Sequence, residues 1–237
     1  MNYTSSELKK VEGLRRELVS NVSHDMRTPL TMITGYSEVM RDIPGENSPE
    51  NIQIIIDEAN RLTSLVNNLM DISKLESGAI AMQNSVFCIT DCIKDIFSRY
   101  TKLIEQDGYN IVFESDCDAY IKADPLRISQ VLYNLINNAI NYAGEDKTII
   151  VKQSVSPDRV CIEIIDHGVG IEEDKLPYIW DRYYKVDKEH KMAVVGTGLG
   201  LSIVKNILNK YDAEFGVKST IGFGSDFWFI FPTVKKD

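Results

Sequence analysis

Residues 52–69 have the sequence IQIIIDEANRLTSLVNNL, in which apolar residues recur at alternating steps of three and four. The positions in this series are Ile52, Ile55, Ala59, Leu62, Val66 and Leu69. This repeat places the apolar side chains on one face of an α-helix, in the pattern of a coiled coil or a helical bundle. The stretch therefore predicts a helix that packs along its length against other helices.

A second helical segment precedes this one. Residues 1–77 are predicted to be helical except at residues 43–49 (IPGENSP), which are rich in turn formers. Ser48 is suited to be the N-cap of the second helix, and Pro49 its first residue. Two helices cannot easily bury so long an apolar stripe between themselves, so we expect an antiparallel hairpin that dimerises into a four-helix bundle. The alternative is a hairpin that packs on the second domain of its own chain. The first helix carries its own apolar face, at Leu8, Val11, Leu14, Leu18 and Val22.

The composition is that of an ordinary globular protein, with 43% hydrophobic and 26% charged residues among 237. The formal net charge of −9 disfavours a broad nucleic-acid surface, although it leaves room for a local phosphate site. No apolar run approaches the ~18 residues that span a bilayer, and no signal peptide is recognisable. The scattered cysteines and distant histidines disfavour structural zinc and predict reduced thiols in a cytosolic protein. The cysteines are Cys88, Cys92, Cys117 and Cys161.

After the hairpin, short β-rich segments alternate with helical ones. Strands are predicted at Asn110–Glu114, Thr148–Val155, Val160–Asp166 and Ser225–Phe231, and helices at Thr90–Glu105, Pro125–Tyr142 and Leu199–Tyr211. Asp124 is suited to cap the middle helix. We therefore expect an α+β multidomain protein, with a helical hairpin at residues 1–80 and a layered α/β domain at residues 81–237.

The first motif with chemical potential is SHDMRTPL at residues 23–30. His24 lies about 200° around the helix from the apolar stripe, so its imidazole is expected in solvent, where it can act as a nucleophile. Asp25 could hold a ring nitrogen and stabilise the cation formed on attack. Pro29 should bend the helix just beyond. A single exposed histidine is usually an ordinary surface residue, but the neighbouring acid, Thr28 and Pro29 weaken that interpretation.

The second motif is a set of asparagines on the helix predicted at residues 125–142. Asn134, Asn138 and Asn141 are spaced four and three apart, so their amides lie on one face. Neutral carbonyl oxygens suit a Mg²⁺ ion that takes its remaining ligands from nucleotide phosphates. For this helix considered by itself, the alternative is a polar face that meets solvent.

The third motif, DHGVGI at residues 166–171, directly follows a predicted strand. Gly168 and Gly170 allow the backbone to approach a ligand closely. Asp166, fixed at a strand end, could accept a hydrogen bond from an exocyclic amine such as that of adenine. The same pattern also suits a plain loop.

The fourth motif is GTGLGLS at residues 196–202, at the start of the last helix. Glycines at a helix N-terminus expose backbone N–H groups that suit a phosphate. The motif lacks the ending of a Walker A loop and does not follow a strand as a Rossmann site requires. The polar stretch from Arg182 to Val195, which includes Lys185, is expected to form a mobile lid that supplies cations to a triphosphate.

In this order, the motifs resemble the catalytic core of a bacterial sensor histidine kinase, and the resemblance covers nearly the whole chain. The matching segments are Ser23–Thr31 for the H-box, Gln130–Tyr142 for the N-box, Asp166–Ile171 for the first glycine box, Trp180–Lys185 for the F-box, Gly196–Leu201 for the second glycine box and Gly222–Ser225 for the trailing glycine motif. The resemblance implies that residues 86–237 form an ATP-binding α/β sandwich of the type shared with gyrase and mismatch-repair ATPases.

The resemblance also assigns roles. It implies that His24 is the phosphoacceptor, that Asp25 is its acid/base partner and that Thr28 orients a water to hydrolyse a partner's phospho-aspartate. It implies that Asn138 and Asn134 hold Mg²⁺. Asp166 would read adenine, and the other residues expected at the nucleotide or its lid are Asn141, Tyr142, Gly168, Gly170, Ile171, Arg182, Lys185, Gly196, Thr197, Gly198, Leu199, Gly200 and Leu201.

Some positions depart from the family pattern. Asn141 stands where the family often has Lys or Arg, and His167 where it often has Asn or Asp. Trp180 and Tyr183 replace the usual phenylalanines of the F-box, which preserves aromatic bulk.

The function implied by the resemblance is ATP-dependent autophosphorylation of His24, followed by transfer to an aspartate of a response regulator. The implied partners are a second copy of the chain and a receiver domain, with no nucleic acid. Any membrane contact would come through a sensor region outside these 237 residues, so the chain itself is expected in the cytoplasm. Two other classes stay open: a regulator dominated by phosphatase activity, which Thr28 permits, and a nucleotide-gated ATPase like the gyrase relatives, which the H-box disfavours.

Overall fold

The computed structural model describes residues 2–76, 81–182, 184 and 198–235, with side chains from Ser20 onward apart from those of residues 21, 72, 75, 76 and 102. The chain divides into two compact units, Met1–Ser73 and Lys74–Asp237. Among the described residues, no helix combines the length and the apolar character that crossing a bilayer requires. All four cysteines carry free thiols, as their scatter predicts.

Two long helices, α1 (Asn2–Asp42) and α2 (Pro49–Glu76), form the helical part of the chain. α1 continues as a helix on both sides of Pro29. The backbone N–H of Asn51 donates to Ser48 Oγ at 3.2 Å, which confirms Ser48 as the N-cap of α2. The predicted break between the helices is therefore confirmed.

Large apolar side chains remain exposed along this helical unit. Leu65 is only 5% exposed, but eight others have exposed fractions of 36–55%. An apolar surface of this extent is typical of an interaction site. The eight residues are Leu30, Met32, Val39, Ile43, Ile52, Ile56, Val66 and Met70.

The second unit contains two sheets. The strands are β1 (Ser85–Cys88), β2 (Asn110–Ser115), β3 (Tyr120–Ala123), β4 (Thr148–Val155), β5 (Arg159–Asp166), β6 (Glu214–Thr220) and β7 (Gly224–Pro232). Five of them form a mixed sheet of order β2-β4-β5-β7-β6, and β1 pairs with β3. β2 is parallel to β4, and all other neighbouring strands are antiparallel. The helices of this unit are α3 (Ile89–Phe97), α4 (Thr101–Asp107), α5 (Pro125–Tyr142) and α6 (Gly200–Asn209).

The core includes the alternating inner positions of β5 and β7. Phe227, Phe229 and Phe231 are at most 3% exposed, which confirms the alternation predicted for the last strand. Their partners across the strand pair are buried aliphatic residues of β5. At the end of this buried row the pairing changes to Asp166 and Ser225, both polar and both buried. The sheet thus carries a carboxylate at the edge of its own core.

A pair of buried polar side chains links α3 to the sheet. Thr90 is 1% exposed, and its hydroxyl donates to Gln153 Oε1 at 3.0 Å while accepting from the backbone N–H of Ala119 at 3.0 Å. The Gln153 amide also donates to the carbonyl oxygen of Cys117 at 2.6 Å. Because Thr90, Gln153 and Ala119 are buried, this network is costly to break.

Two parts of the predicted secondary structure are wrong. The helix predicted at Thr90–Glu105 is broken, because a 3₁₀ turn at Ser98–Tyr100 separates α3 from α4. The buried Tyr100 donates its hydroxyl to Asn137 Oδ1 at 2.9 Å, and this contact with α5 holds the turn. The strands β1, β3 and β6 were not predicted. β1 and β3 are only four residues long, and β6 is an edge strand without a regular buried face.

Candidate functional site

His24 lies on α1 with 78% of its side chain exposed, as the helical spacing predicts. Its Nδ1 is 3.6 Å from Asp25 Oδ1, which allows electrostatic attraction when the ring is protonated. Thr28 is also exposed, and its Oγ1 donates to the carbonyl oxygen of His24 at 3.4 Å. The three predicted catalytic side chains therefore adjoin one another on the surface of α1.

Asp166 ends β5 on the buried face of the sheet and is only 2% exposed. Its Oδ1 accepts a hydrogen bond from the backbone N–H of Gly168 at 2.9 Å. Burial raises the pKa of Asp166 to about 6, and the backbone N–H groups of Gly168 and Ser225 limit the rise. A carboxylate offers about four acceptor positions, so two backbone donors leave capacity for a ligand.

The C-terminal end of α5 packs directly on the loop that follows β5. A Cβ atom at Gly168 would collide with the carbonyl oxygen of Tyr142, and one at Gly144 with that of His167. His167 Nδ1 also lies 2.7 Å from Asp146 Oδ2, and this hydrogen bond lowers the pKa of Asp146. The glycines are therefore required for close contact between two elements, in addition to any contact with a ligand.

The same loop also contacts the turn between β6 and β7. Gly170 has a φ of 73°, and a Cβ there would collide with the carbonyl oxygen of Thr220. The backbone N–H of Ile171 donates to Ser219 Oγ at 2.8 Å. The loop that carries Asp166 is thus held between the end of α5 and the β6–β7 turn.

Of the three asparagines predicted on one face of α5, Asn134 and Asn138 are half-buried and Asn141 is exposed. The amide of Asn134 lies beside the start of α6, because a Cβ at Gly200 would stand 3.4 Å from Asn134 Oδ1. The second and fourth motifs therefore meet in the structure. Asp124 accepts hydrogen bonds from the first turn of α5, which confirms it as the N-cap.

The fourth motif is described only from Gly198 onward. Gly198 has a φ of 66°, Leu199 is 1% exposed, and Gly200 begins α6 with Leu201 half-buried behind it. The motif therefore precedes a helix N-terminus, as predicted. Gly196, Thr197, Lys185, Tyr183 and the greater part of the predicted lid lie outside the described residues.

Trp180 of the F-box packs against the main sheet. The Trp180 ring meets Phe215 and Phe227 edge-on, with ring centroids 5.0 and 5.8 Å apart. Arg182 lines a cavity of about 200 Å³ together with Trp180 and Ser202. This cavity connects the F-box to the first turns of α6.

Within the second unit, the structure places the glycine loop of Asp166 against the end of α5, and Asn134 of the same helix against the start of α6. A buried acceptor beside glycine-lined backbone suits a ligand with an amine donor, and the α6 N-terminus suits an anionic group. Sequence reasoning missed Ser219, Asp146 and the contact that His167 makes. A groove of about 610 Å³ between α3 and α5 is lined by none of the predicted site residues.

Two family models match the chain. Residues 14–78 match the family described as His Kinase A (phospho-acceptor) domain. Residues 123–235 match the family described as histidine kinase-, DNA gyrase B-, and HSP90-like ATPase. The first match contains His24, and the second contains Asp166 and all the predicted asparagines.

Curated relatives include the sensor protein kinase WalK of Staphylococcus aureus and of Staphylococcus saprophyticus. Each is 32% identical over 235 residues, which is 96% of this chain. The chain spans only 56% and 38% of the lengths of these two relatives.

Solved structures show the same architecture. The histidine kinase ThkA in complex with the response regulator protein TrrA is 25% identical, with a TM-score of 0.72 over 98% of this chain and 66% of that chain. The histidine kinase AdeS of Acinetobacter baumannii is 22% identical, with a TM-score of 0.71 over 90% of this chain and 98% of that chain. The predicted architecture, a helical region followed by an α/β sheet domain, is confirmed.

Proposed function

The chain belongs to the sensor histidine kinase family, and on this premise we propose that it transfers the γ-phosphoryl group of ATP to His24. The observation that carries the proposal is the exposed His24 beside Asp25, within the residues that match the phosphoacceptor family. The match of residues 123–235 to an ATPase family supports the use of ATP by the second unit. We infer that the chain divides at residue 80 into a dimerisation and histidine phosphotransfer domain, residues 1–80, and a catalytic ATP-binding domain, residues 81–237.

The transfer requires a nucleophile that is free to meet the nucleotide. His24 Nδ1 is the ring nitrogen near Asp25, which leaves Nε2 to attack the γ-phosphorus while the bond to the ADP oxygen breaks. The positive charge that develops on the ring is stabilised by the Asp25 carboxylate, which can take the Nδ1 proton. Phosphoryl transfer depends mainly on positioning and charge neutralisation, so the part of His24 is to present a ring nitrogen to the γ-phosphate from the surface of α1.

The nucleotide would be held by the motifs of the second unit. Asp166 would accept a hydrogen bond from the exocyclic amine of adenine, and Gly168 and Gly170 would allow the base to approach the backbone. The segment from Gly196 to Leu201 supplies N–H groups to the phosphates. Arg182 and Lys185 would add positive charge, and Asn141 and Tyr142, the last residues of α5, would also contact the nucleotide.

The donor set of α5 fits a magnesium ion. Asn134 and Asn138 offer neutral amide oxygens from one helix face, and Asn134 lies against the start of α6, where phosphates would bind. When bound, Mg²⁺ neutralises phosphate charge during transfer. The two asparagines orient that charge relative to the helix N-terminus.

The second step passes the phosphoryl group to an aspartate of a response regulator. The solved complex of ThkA with TrrA supports a partner of this class. Thr28 offers an exposed hydroxyl one helical turn from His24, which can orient a water for hydrolysis of the partner's phospho-aspartate. We therefore include phosphatase activity toward the same partner in the proposal.

The chain would act as a homodimer in the cytoplasm. The row of exposed apolar side chains on α1 and α2 supports a four-helix bundle formed by two hairpins. Any attachment to a membrane would involve a part of the protein outside these residues, and neither function requires nucleic acid.

The test is incubation of the full chain with ATP labelled at the γ-phosphate. We expect label on the protein that is stable to base and labile to acid, as a phosphoramidate is, and none on His24→Gln. The matched control is ATP titration of His24→Gln, which should bind nucleotide as the wild type does because His24 lies outside the ATPase match. Label that persists on His24→Gln would overturn the assignment.

A further inference from the structure

Three neighbouring strands place Ser219, Ser225 and Asp166 in one row at the end of the main sheet. Ser219 of β6 is paired with Ser225 of β7, which is paired in turn with Asp166 of β5. Directly opposed residues of antiparallel strands point to the same face. A polar row therefore runs from the edge strand to the carboxylate proposed to read adenine.

The hydroxyl of Ser219 is fully used. It donates to the carbonyl oxygen of Gly224 at 2.8 Å, accepts from the backbone N–H of Ile171 at 2.8 Å and lies 3.0 Å from Ser225 Oγ. A serine hydroxyl has one proton and two acceptor positions. Because its proton goes to Gly224, the contact with Ser225 must have Ser225 as the donor.

This assignment has two consequences for the loop at residues 166–171. Ser219 fixes Ile171, and thereby the backbone of Gly170, which already lies against Thr220. Ser219 Oγ also accepts the hydroxyl proton of Ser225, which is paired with Asp166 in the sheet. The carboxylate of Asp166 is then left to accept from a ligand.

We propose that Ser219 is the positioning residue of the adenine-binding loop and sets the preference for adenine over guanine. The inference rests on the proposed function, in which Asp166 accepts the adenine amine. Guanine presents an acceptor oxygen at the position of that amine, so a correctly held carboxylate repels it. A loop freed from Ser219 loses the alignment on which this discrimination depends.

The experiment measures equilibrium binding of ATP and of GTP to the full chain and to variants. For Ser219→Ala we expect ATP affinity to fall about tenfold and GTP affinity to stay unchanged. The substitution removes the hydroxyl that bonds Ile171, Gly224 and Ser225, and with it the alignment of the loop. Ser219→Thr restores the hydroxyl and should recover most of the preference. Ser154→Ala is the control, because Ser154 is a half-buried serine of the same sheet, on β4.

A merely structural role would lower both affinities or the stability without changing their ratio, and that result would overturn the proposal. If Ser219→Ala fails to fold, Ser219→Cys, which keeps the size but donates weakly, must show a reduced ATP-to-GTP ratio. Asp166→Asn in the same assay separates the two hypotheses. If Asp166→Asn retains the wild-type preference, the adenine role of Asp166 is wrong; if only Ser219→Ala retains it, the positioning role alone is wrong.

Discussion

Replacement of Asp166 by Asn should stabilise the second unit while weakening nucleotide binding. Folding raises the pKa of Asp166 from 3.8 to about 6, with burial as the largest cause. The native protein therefore binds more protons than the unfolded chain between about pH 4 and pH 6, and the free energy of unfolding falls as pH rises through this window. Relative to a carboxyl group that stays neutral, the raised pKa lowers the free energy of unfolding by about 3 kcal/mol at pH 8, by about half of that at pH 5 and by less than about 1 kcal/mol at pH 4.

An asparagine carries none of this cost, and the pKa of about 6 already includes the hydrogen bonds from Gly168 and Ser225 to the carboxylate. The variant should therefore be more stable than the wild type by about 2–3 kcal/mol at pH 8 and almost equal to it at pH 4. Its affinity for ATP should fall at the same time, because the amide offers an uncharged acceptor and a competing donor.

The assay is urea unfolding of the full chain without nucleotide at several pH values, with tryptophan fluorescence as the signal that monitors unfolding. Both tryptophans, Trp180 and Trp228, lie in the second unit, so the signal reports that unit alone. The control is Asp158→Asn, which removes one charge from an exposed turn between β4 and β5 and should show no such gain. A variant that is less stable at pH 8, or whose gain does not depend on pH, would refute the reasoning.

Three further substitutions test other parts of the structure. Gly170→Ala should destabilise the second unit by at least about 1 kcal/mol more than Gly222→Ala in urea unfolding, because both have positive φ but only Gly170 faces a backbone oxygen. Thr90→Val should lower the free energy of unfolding by about 2–3 kcal/mol, since it removes the hydrogen-bond partner of Gln153 Oε1 and of the backbone N–H of Ala119 in the core; a loss below about 0.5 kcal/mol would contradict that. Ser48→Ala should lower the stability of the helical unit by about 1 kcal/mol, measured as thermal loss of circular dichroism at 222 nm, and Ser48→Asp should restore it.

The features predicted correctly from the sequence are those that depend on neighbouring residues. The caps Ser48 and Asp124 depend only on the first turn of the helix that follows each of them. The exposure of His24 depends on the helical period of 3.6 residues. The alternation of the phenylalanines in β7 depends in the same way on the two-residue period of a strand. These local rules operate before any tertiary contact forms.

The errors have tertiary causes. The break between α3 and α4 is held by a hydrogen bond from Tyr100 to Asn137, which is 37 residues away in the chain. β6 was missed because an edge strand is buried on neither face strongly enough to show an apolar pattern. His167, a departure from the family pattern with no evident role in the sequence, pairs with Asp146 across 21 residues.

Local patterns in the sequence were enough to predict the two kinds of domain, the exposed histidine and the order of the motifs, because periodicity and helix capping depend on neighbouring residues. Only the tertiary structure placed Asp166 at the polar end of a buried row, raised its pKa and joined its loop to α5 and to Ser219. These properties depend on contacts between residues that are distant in the chain, such as Asp166 of β5 and Ser225 of β7, which lie 59 positions apart, and on the exclusion of water from between them. The burial of a carboxylate and its hydrogen bonds to distant residues leave no periodic pattern in the amino-acid sequence.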